Sequence, residues 1–194
     1  MIKETLELEL KGGKRKTAKP MMWISMVSMT MMFAGLTSAY VISSNREDWV
    51  SFELPTAFQW STVCILLSSV TYFVAKLTAK KGNKKMTTVM LMATLGLGLG
   101  FVYGQFEGFH ALQDMGLYFT GPKSAVSSSM LMVIVFAHIV HVAVGLITLL
   151  TVSYRQIRGL YTVEDTLGLE LGEIFWHFLD FLWICLFCFF FFNT

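Results

Sequence analysis

Five long apolar segments, separated by short polar stretches, dominate the pattern of hydrophobic and polar positions along the chain. Each segment has about 20 residues or more, the length that an α-helix needs to cross a hydrocarbon core of about 30 Å. The pattern therefore predicts an all-α integral membrane protein with five transmembrane helices. Their predicted ranges are 21–43, 56–77, 86–108, 127–152 and 168–192.

Composition and charge support a membrane protein and indicate its orientation. The chain is 55% hydrophobic and only 14% charged, which excludes an ordinary soluble domain of 194 residues. Thirteen of the fifteen Lys and Arg residues lie in the N-terminal tail, in the stretch 76–85 and in the loop after the fourth segment. Because positive charge accumulates on the cytoplasmic side, we expect residues 1–19 to form a polar, basic cytoplasmic tail and the C-terminus to be periplasmic.

The last predicted helix carries four ionisable residues inside its apolar run. They are three, four and three positions apart, which places them on one face of a helix. An ionisable group at the centre of a bilayer costs roughly 2.5 to 3.5 kcal/mol on insertion scales, so it normally has a partner. We expect this face to contact other helices of the chain or of another subunit. The four residues are Glu170, Glu173, His177 and Asp180.

The fourth predicted helix places two histidines on one face. His138 and His141 are three positions apart, and Gly145 follows four positions later. A haem, a metal, a proton relay or hydrogen bonds between helices would each account for them. Two histidines on one face of one helix cannot clamp the same iron from opposite sides, and further metal ligands are not obvious. Since the fifth helix lies at similar depth, we expect at least one contact between these imidazoles and Glu173 or Asp180.

The third predicted helix carries glycines at Gly96, Gly100 and Gly104, each four positions from the next. Small residues at this spacing let helix backbones approach closely, and in lipid it is packing that joins helices. We therefore expect these three glycines, together with Gly145, to lie in helix contacts. The alternative is that glycine is simply frequent in membrane helices.

Two motifs make the chain resemble subunit III of haem-copper terminal oxidases, in a short five-helix bacterial form. The family pattern H-x-x-H-V-x-x-G is matched in the fourth segment, and G-x-E followed by W-H-F-x-D-x-x-W is matched in the fifth. Gly104-Gln105 also looks like a Gly-Gln pair of the family, and the resemblance covers residues 20–194. The matching residues are His138, His141, Val142, Gly145, Gly168, Glu170, Trp176, His177, Phe178, Asp180 and Trp183.

The resemblance implies a non-catalytic subunit of a proton-pumping cytochrome c oxidase, which reduces oxygen to water in aerobic respiration. It implies no active site in this chain, with haem and copper held by partner subunits. The expected partners are subunit I as the main contact, subunit II and membrane phospholipid, without nucleic acid, in the bacterial inner membrane. Long family members have a buried glutamate three residues after the glutamine. Here Glu107 is two after Gln105, and it is the candidate for that buried carboxylate.

Other functions remain open at this point. Within the family, the chain could serve a quinol oxidase or a homologue associated with nitric oxide reductase. From another class, a stand-alone proton-coupled transporter could use the histidines and carboxylates as a relay. Such carriers often show internal repeats or broken helices at mid-membrane, and neither is evident here. A dihaem membrane cytochrome would be revealed by haem absorbance of the isolated chain.

Overall fold

The computed structural model describes residues 2–47, 49–119, 125–159 and 167–193, and these ranges fold into five long helices. The helices are α1 (Ile2–Ser43), α2 (Thr56–Lys80), α3 (Lys84–Asp114), α4 (Val126–Ile157) and α5 (Leu167–Asn193). Each contains a stretch long and apolar enough to cross a membrane. The predicted all-α membrane fold with five spanning helices is confirmed.

Helix α1 begins well before the predicted first span. Its helical backbone starts at Ile2, whereas the part apolar enough to cross a membrane is Lys16–Ser43. The cytoplasmic location of the first nineteen residues stays a prediction.

A short turn makes α2 and α3 antiparallel neighbours. The chain reverses over Lys81, Gly82 and Asn83, and Gly82 has a φ of 74°, which a side chain would disfavour. The Asn83 side chain then accepts a hydrogen bond from the Met86 backbone N–H at 3.2 Å and caps α3. Along the two helices, Thr71 and Thr94 share a hydroxyl hydrogen bond of 2.8 Å, which helps to hold them together.

Helix α1 lies at the edge of the bundle and, within the described residues, packs against α4 and α5 and not against α2 or α3. Within its described apolar part, the buried side chains are Met26, Phe33 and Tyr40, each seven positions from the next. A seven-residue spacing gives one narrow contact strip along a helix. Most of the surface of α1 is therefore left for lipid or for another chain.

The centre of the bundle is built around two tryptophans of α5. Trp176 and Trp183 are 1% exposed. The Trp183 ring lies edge-on to Phe101 of α3 at 5.1 Å and is stacked on His138 of α4 at 5.3 Å. A Cβ added at Gly98 of α3 would meet the Trp176 ring at 2.8 Å, so this glycine makes room for the indole. Helix α5 therefore joins α3 and α4 through its aromatic side chains.

The glycines expected in helix contacts divide into two groups. A Cβ added at Gly104 would lie 2.8 Å from Ser61 Cβ, and one added at Gly145 would lie 2.8 Å from Leu179 Cδ1. A Cβ added at Gly96 or Gly100 would meet nothing within 4 Å. The expected helix contact is therefore absent at these two positions within the described part of the chain. The reason is helical geometry, since positions four apart turn by about 40° and only the end of the row reaches α2.

Candidate functional site

The ionisable face of α5 meets a row of polar side chains on α2. We call this contact the α2–α5 seam. It pairs polar groups of the two antiparallel helices at three heights, about two turns of α2 apart. Its members are Thr62, Ser68, Ser69 and Lys76 of α2, and Glu173, Trp176, His177 and Trp183 of α5.

Indole and imidazole groups form the middle of the α2–α5 seam. Trp183 Nε1 donates to Thr62 Oγ1 at 2.9 Å, and Trp176 Nε1 donates to Ser68 Oγ at 3.0 Å. One position further along α2, Ser69 Oγ lies 2.5 Å from His177 Nδ1. Each large ring of α5 that faces α2 thus finds a hydroxyl, and buried indole N–H groups normally require such a partner.

An ion pair lies near the end of the α2–α5 seam where α5 begins. Lys76 Nζ is 2.6 Å from Glu173 Oε2, and the Glu173 side chain is only 4% exposed. His177 Nε2 lies 3.7 Å from the other oxygen of the same carboxylate. A carboxylate this deeply buried is tolerated because a cation and an imidazole face it.

Glu170 links three helices one turn earlier on α5. Its carboxylate lies 3.2 Å from Lys19 Nζ of α1 and 3.9 Å from Lys80 Nζ of α2. All three side chains are at least partly exposed, so these pairs contribute less than the buried pair of Lys76 and Glu173.

Asp180 and His138 approach the same narrow space in the core from α5 and α4. Asp180 is 3% exposed and its Oδ2 lies 3.9 Å from His177 Nδ1, but neither carboxylate oxygen has a hydrogen-bond partner in the described part of the chain. His138 is 1% exposed, and both of its ring nitrogens are buried without a hydrogen-bond partner in the described part of the chain. Aromatic rings surround it, because Phe33 and Phe101 approach its edges while Trp183 stacks on it.

The expected contact between a histidine of α4 and a carboxylate of α5 is not made through a hydrogen bond or an ion pair in the described part of the chain. His138 has no hydrogen bond, and His141 Nδ1 lies 2.7 Å from the Ala137 carbonyl oxygen of its own helix. Glu173 turns instead to Lys76 of α2. The reason is that α5 presents its ionisable face mainly to α2.

Glu107 is exposed, so the expectation of a buried carboxylate at this position is wrong for the described chain. The buried polar residue is Gln105, whose Nε2 donates to Ser61 Oγ at 2.8 Å. Two residues turn a helix by about 200°, which directs Glu107 to the opposite side of α3. There it lies near the Tyr103 side chain, one turn earlier on the same helix.

Lys76 and the α2 hydroxyls are the site residues that the sequence reasoning missed. The predicted second helix, 56–77, contains Lys76, but its charge was grouped with the basic stretch 76–85 and not paired with Glu173, which it reaches in the structure. A signal was present, because Thr62, Ser69 and Lys76 follow one another at intervals of seven positions. Polar residues at that spacing in an apolar helix indicate a polar contact strip.

The α2–α5 seam offers hydrogen bonds and ion pairs between its own members. Within the described ranges, no group of three or more His, Cys, Asp or Glu side chains is arranged to hold a metal ion. The arrangement is therefore suited to joining helices, because polar pairs inside membrane bundles stabilise helix contacts.

Comparison with known proteins identifies relatives over nearly the whole chain. The sequence model of the family described as cytochrome c oxidase subunit III matches residues 14–194. Subunit 3 of cytochrome bo(3) ubiquinol oxidase from Pseudomonas aeruginosa is 33% identical, with 85% of this chain and 79% of the relative covered. The same subunit from Buchnera aphidicola subsp. Schizaphis graminum is 31% identical over 100% of this chain and 98% of the relative. Cytochrome c oxidase subunit 3 from Thermostichus vulcanus is 27% identical over 84% of this chain and 81% of the relative.

Proposed function

The chain belongs to the cytochrome c oxidase subunit III family, and from that premise we propose that it is the accessory subunit of a proton-pumping haem-copper terminal oxidase. In this proposal the complex reduces oxygen to water, haem and copper reside in partner subunits, and this chain has no active site of its own. It supports the stability of the catalytic subunit and its proton uptake.

The accessory role is supported by the contacts that the side chains of the α2–α5 seam make with one another. Glu173 is engaged by Lys76, and His177 lies against Ser69 and Glu173. Glu173 and His177 are thus engaged in holding two helices together. We propose that the stripe formed by His138, His141, Glu170, Glu173, His177 and Asp180 is mainly structural, as polar pairs in membrane bundles usually are.

The proposed setting of the chain is the bacterial inner membrane. Thirteen of fifteen Lys and Arg residues lie in the N-terminal tail and in the two connections that five spans place on the same side of the membrane, which favours a cytoplasmic N-terminus. The proposed partners are the large catalytic subunit as the main contact, a second oxidase subunit, and phospholipid along the exposed apolar faces of the helices.

We propose ubiquinol as the electron donor of the complex, in preference to cytochrome c. Among the relatives that match at least 84% of this chain, those described as ubiquinol oxidase subunits are 28% to 33% identical and those described as cytochrome c oxidase subunits are 25% to 27% identical. A probable cytochrome c oxidase subunit is 32% identical, but over only 66% of this chain. The donor acts on other subunits, so the preference concerns the complex rather than a site on this chain.

Purification of the tagged chain from its native membranes in mild detergent tests this proposal. We expect haem absorbance and larger oxidase subunits to accompany the chain, and the absorbance to disappear when the chain is isolated. The purified complex should consume oxygen with a short-chain ubiquinol and not with reduced cytochrome c. The reverse preference would overturn the choice of donor. A colourless chain without oxidase subunits would overturn the accessory role and favour the transporter.

A further inference from the structure

His141 lies at the middle of α4, where water is scarce. It is fifteen residues from the first residue of the helix, Val126, and sixteen from the last, Ile157. At 1.5 Å per residue, the imidazole is about 22 Å from either end of the helix. A polar group at this depth is unfavourable unless it faces protein or a water-filled cavity.

The hydrogen bond of His141 determines which ring nitrogen carries no proton. Nδ1 lies 2.7 Å from the Ala137 carbonyl oxygen, and a carbonyl oxygen can only accept. Nδ1 therefore carries the proton and donates, which leaves Nε2 of the neutral ring as an acceptor. Nε2 has no partner in the described part of the chain, and it is not enclosed as the nitrogens of His138 are.

The chain's own neighbours on this side supply no hydrogen-bond donor. The Phe33 ring of α1 covers one side of the imidazole, with the centroids 5.6 Å apart. One turn further along α4, Val144 is 51% exposed, and its carbonyl oxygen accepts the hydrogen bond of the Thr148 hydroxyl at 2.9 Å. The half-buried imidazole thus presents a bare acceptor beside an apolar outer surface.

Lipid does not complete this site. Acyl chains have no hydrogen-bond donor, and phospholipid headgroups lie at the membrane surface, far from the middle of α4. By contrast, the outer face of α2 carries Val63, Leu66, Val70 and Phe73, which suit lipid without a polar partner. The outer face of α4 at His141 therefore requires a hydrogen-bond donor, whereas the outer face of α2 does not.

We propose that His141, Val144 and Thr148 form the His141 face, which binds a membrane helix from another subunit of the oxidase. The partner helix would carry a donor at mid-membrane, such as a hydroxyl, an amide or an indole N–H, aimed at Nε2. This inference rests on the proposed function, because it takes the partner from the same complex.

A photo-reactive amino acid introduced at Val144 tests the position of the partner. The matched control carries the same amino acid at Val70, which is 60% exposed on α2. In the assembled oxidase, we expect a covalent adduct with a larger membrane subunit from position 144 and none from position 70. Protein adducts from position 70 alone, or only lipid or quinol adducts from position 144, would overturn the proposal.

Two substitutions test the hydrogen bond itself. His141→Phe keeps a ring against Phe33 but has no acceptor, whereas His141→Gln retains an acceptor oxygen. We expect His141→Phe to increase loss of this chain from the haem-bearing complex during detergent washing about threefold, and His141→Gln to restore retention. Equal loss for wild type and His141→Phe would contradict the hydrogen bond.

Different results would overturn the proposed function and the proposed role of the His141 face. If no oxidase subunit accompanies even the wild-type chain, the proposed function is wrong. If the oxidase accompanies the chain but adducts form only from α2, the proposed function stands, and the proposal that the His141 face binds another subunit is wrong. If His141→Phe does not fold, which its circular dichroism would reveal, the adduct pattern at Val144 still decides.

Discussion

Helix α5 holds its neighbours on two sides by different means. Towards α2 it presents ring nitrogens and a carboxylate, each matched by Thr62, Ser68, Ser69 or Lys76. Towards α4 the contact is almost entirely apolar, with Gly145 receiving Leu179 and the Trp176 ring. Both sides bury their side chains, but only the α2 side fixes them with directional bonds.

This difference shows how specificity and close packing are divided within one membrane bundle. Apolar surface gives little preference between helices in lipid, because lipid chains are equally apolar. Hydrogen bonds and ion pairs at fixed heights set which helix lies beside α5 and in which register. The glycine contact with α4 then brings the backbones together. We expect the two sides to respond differently to substitution.

Lys76→Met should have the largest effect, because it leaves the buried Glu173 carboxylate without its cation. Removing one partner of a buried ion pair destabilises by about 3 to 5 kcal/mol. Thermal unfolding of the isolated chain in detergent, followed by circular dichroism, would measure it. The control is Lys80→Met, whose ammonium is exposed and 3.9 Å from Glu170. Adding Glu173→Gln to Lys76→Met should recover most of the loss, and equal effects of the two lysine substitutions would contradict this view.

Gly145→Leu should come next and tests the apolar side. A Cβ at this position would lie 2.8 Å from Leu179 Cδ1, so a larger side chain must displace α5. Overpacking of this kind costs about 1 to 3 kcal/mol. Gly100→Leu is the matched control, because nothing lies within 4 Å of its Cβ position. The unfolding temperature should fall for the first variant only, and an equal fall for both would show that α3 packs differently.

Ser68→Ala should have a moderate effect. It removes the acceptor of the buried Trp176 indole N–H while leaving the apolar contacts in place. An unsatisfied buried donor costs about 1 kcal/mol or somewhat more. Ser25→Ala on α1 serves as control, since that exposed hydroxyl donates to its own helix at the Met21 carbonyl. The fluorescence spectrum of the tryptophans should also shift in Ser68→Ala, and no change in spectrum or stability would argue against this bond.

Lys19→Met should have the smallest effect. The Lys19 side chain is 51% exposed, and exposed ion pairs contribute about 0.2 to 1 kcal/mol. Helix α1 should remain in place, because Met26, Phe33 and Tyr40 hold it through apolar contacts. Unfolding at low and high salt would check this, since any difference between wild type and variant should vanish at high salt. A persistent large difference would assign the pair of Lys19 and Glu170 a greater role.

The sequence was sufficient to predict the number and type of helices, because apolar length alone determines what can span a membrane. It also placed Glu170, Glu173 and His177 on one helix face by their spacing. It did not identify the neighbour of that face, since periodicity fixes directions around one helix and not which helix lies opposite. For this reason the sequence did not pair Lys76 with Glu173, and the exposure of Glu107 follows from Gln105 occupying the buried position.

The central claim is that the polar groups facing α2 stabilise an accessory subunit and take no part in turnover. The most direct measurement is oxygen consumption and proton pumping per haem by an oxidase that carries Lys76→Met together with Glu173→Gln. We predict unchanged turnover and pumping in every complex that retains the chain. Loss of pumping or turnover in a fully assembled and stable complex would contradict the claim and assign the ion pair a role in proton transfer.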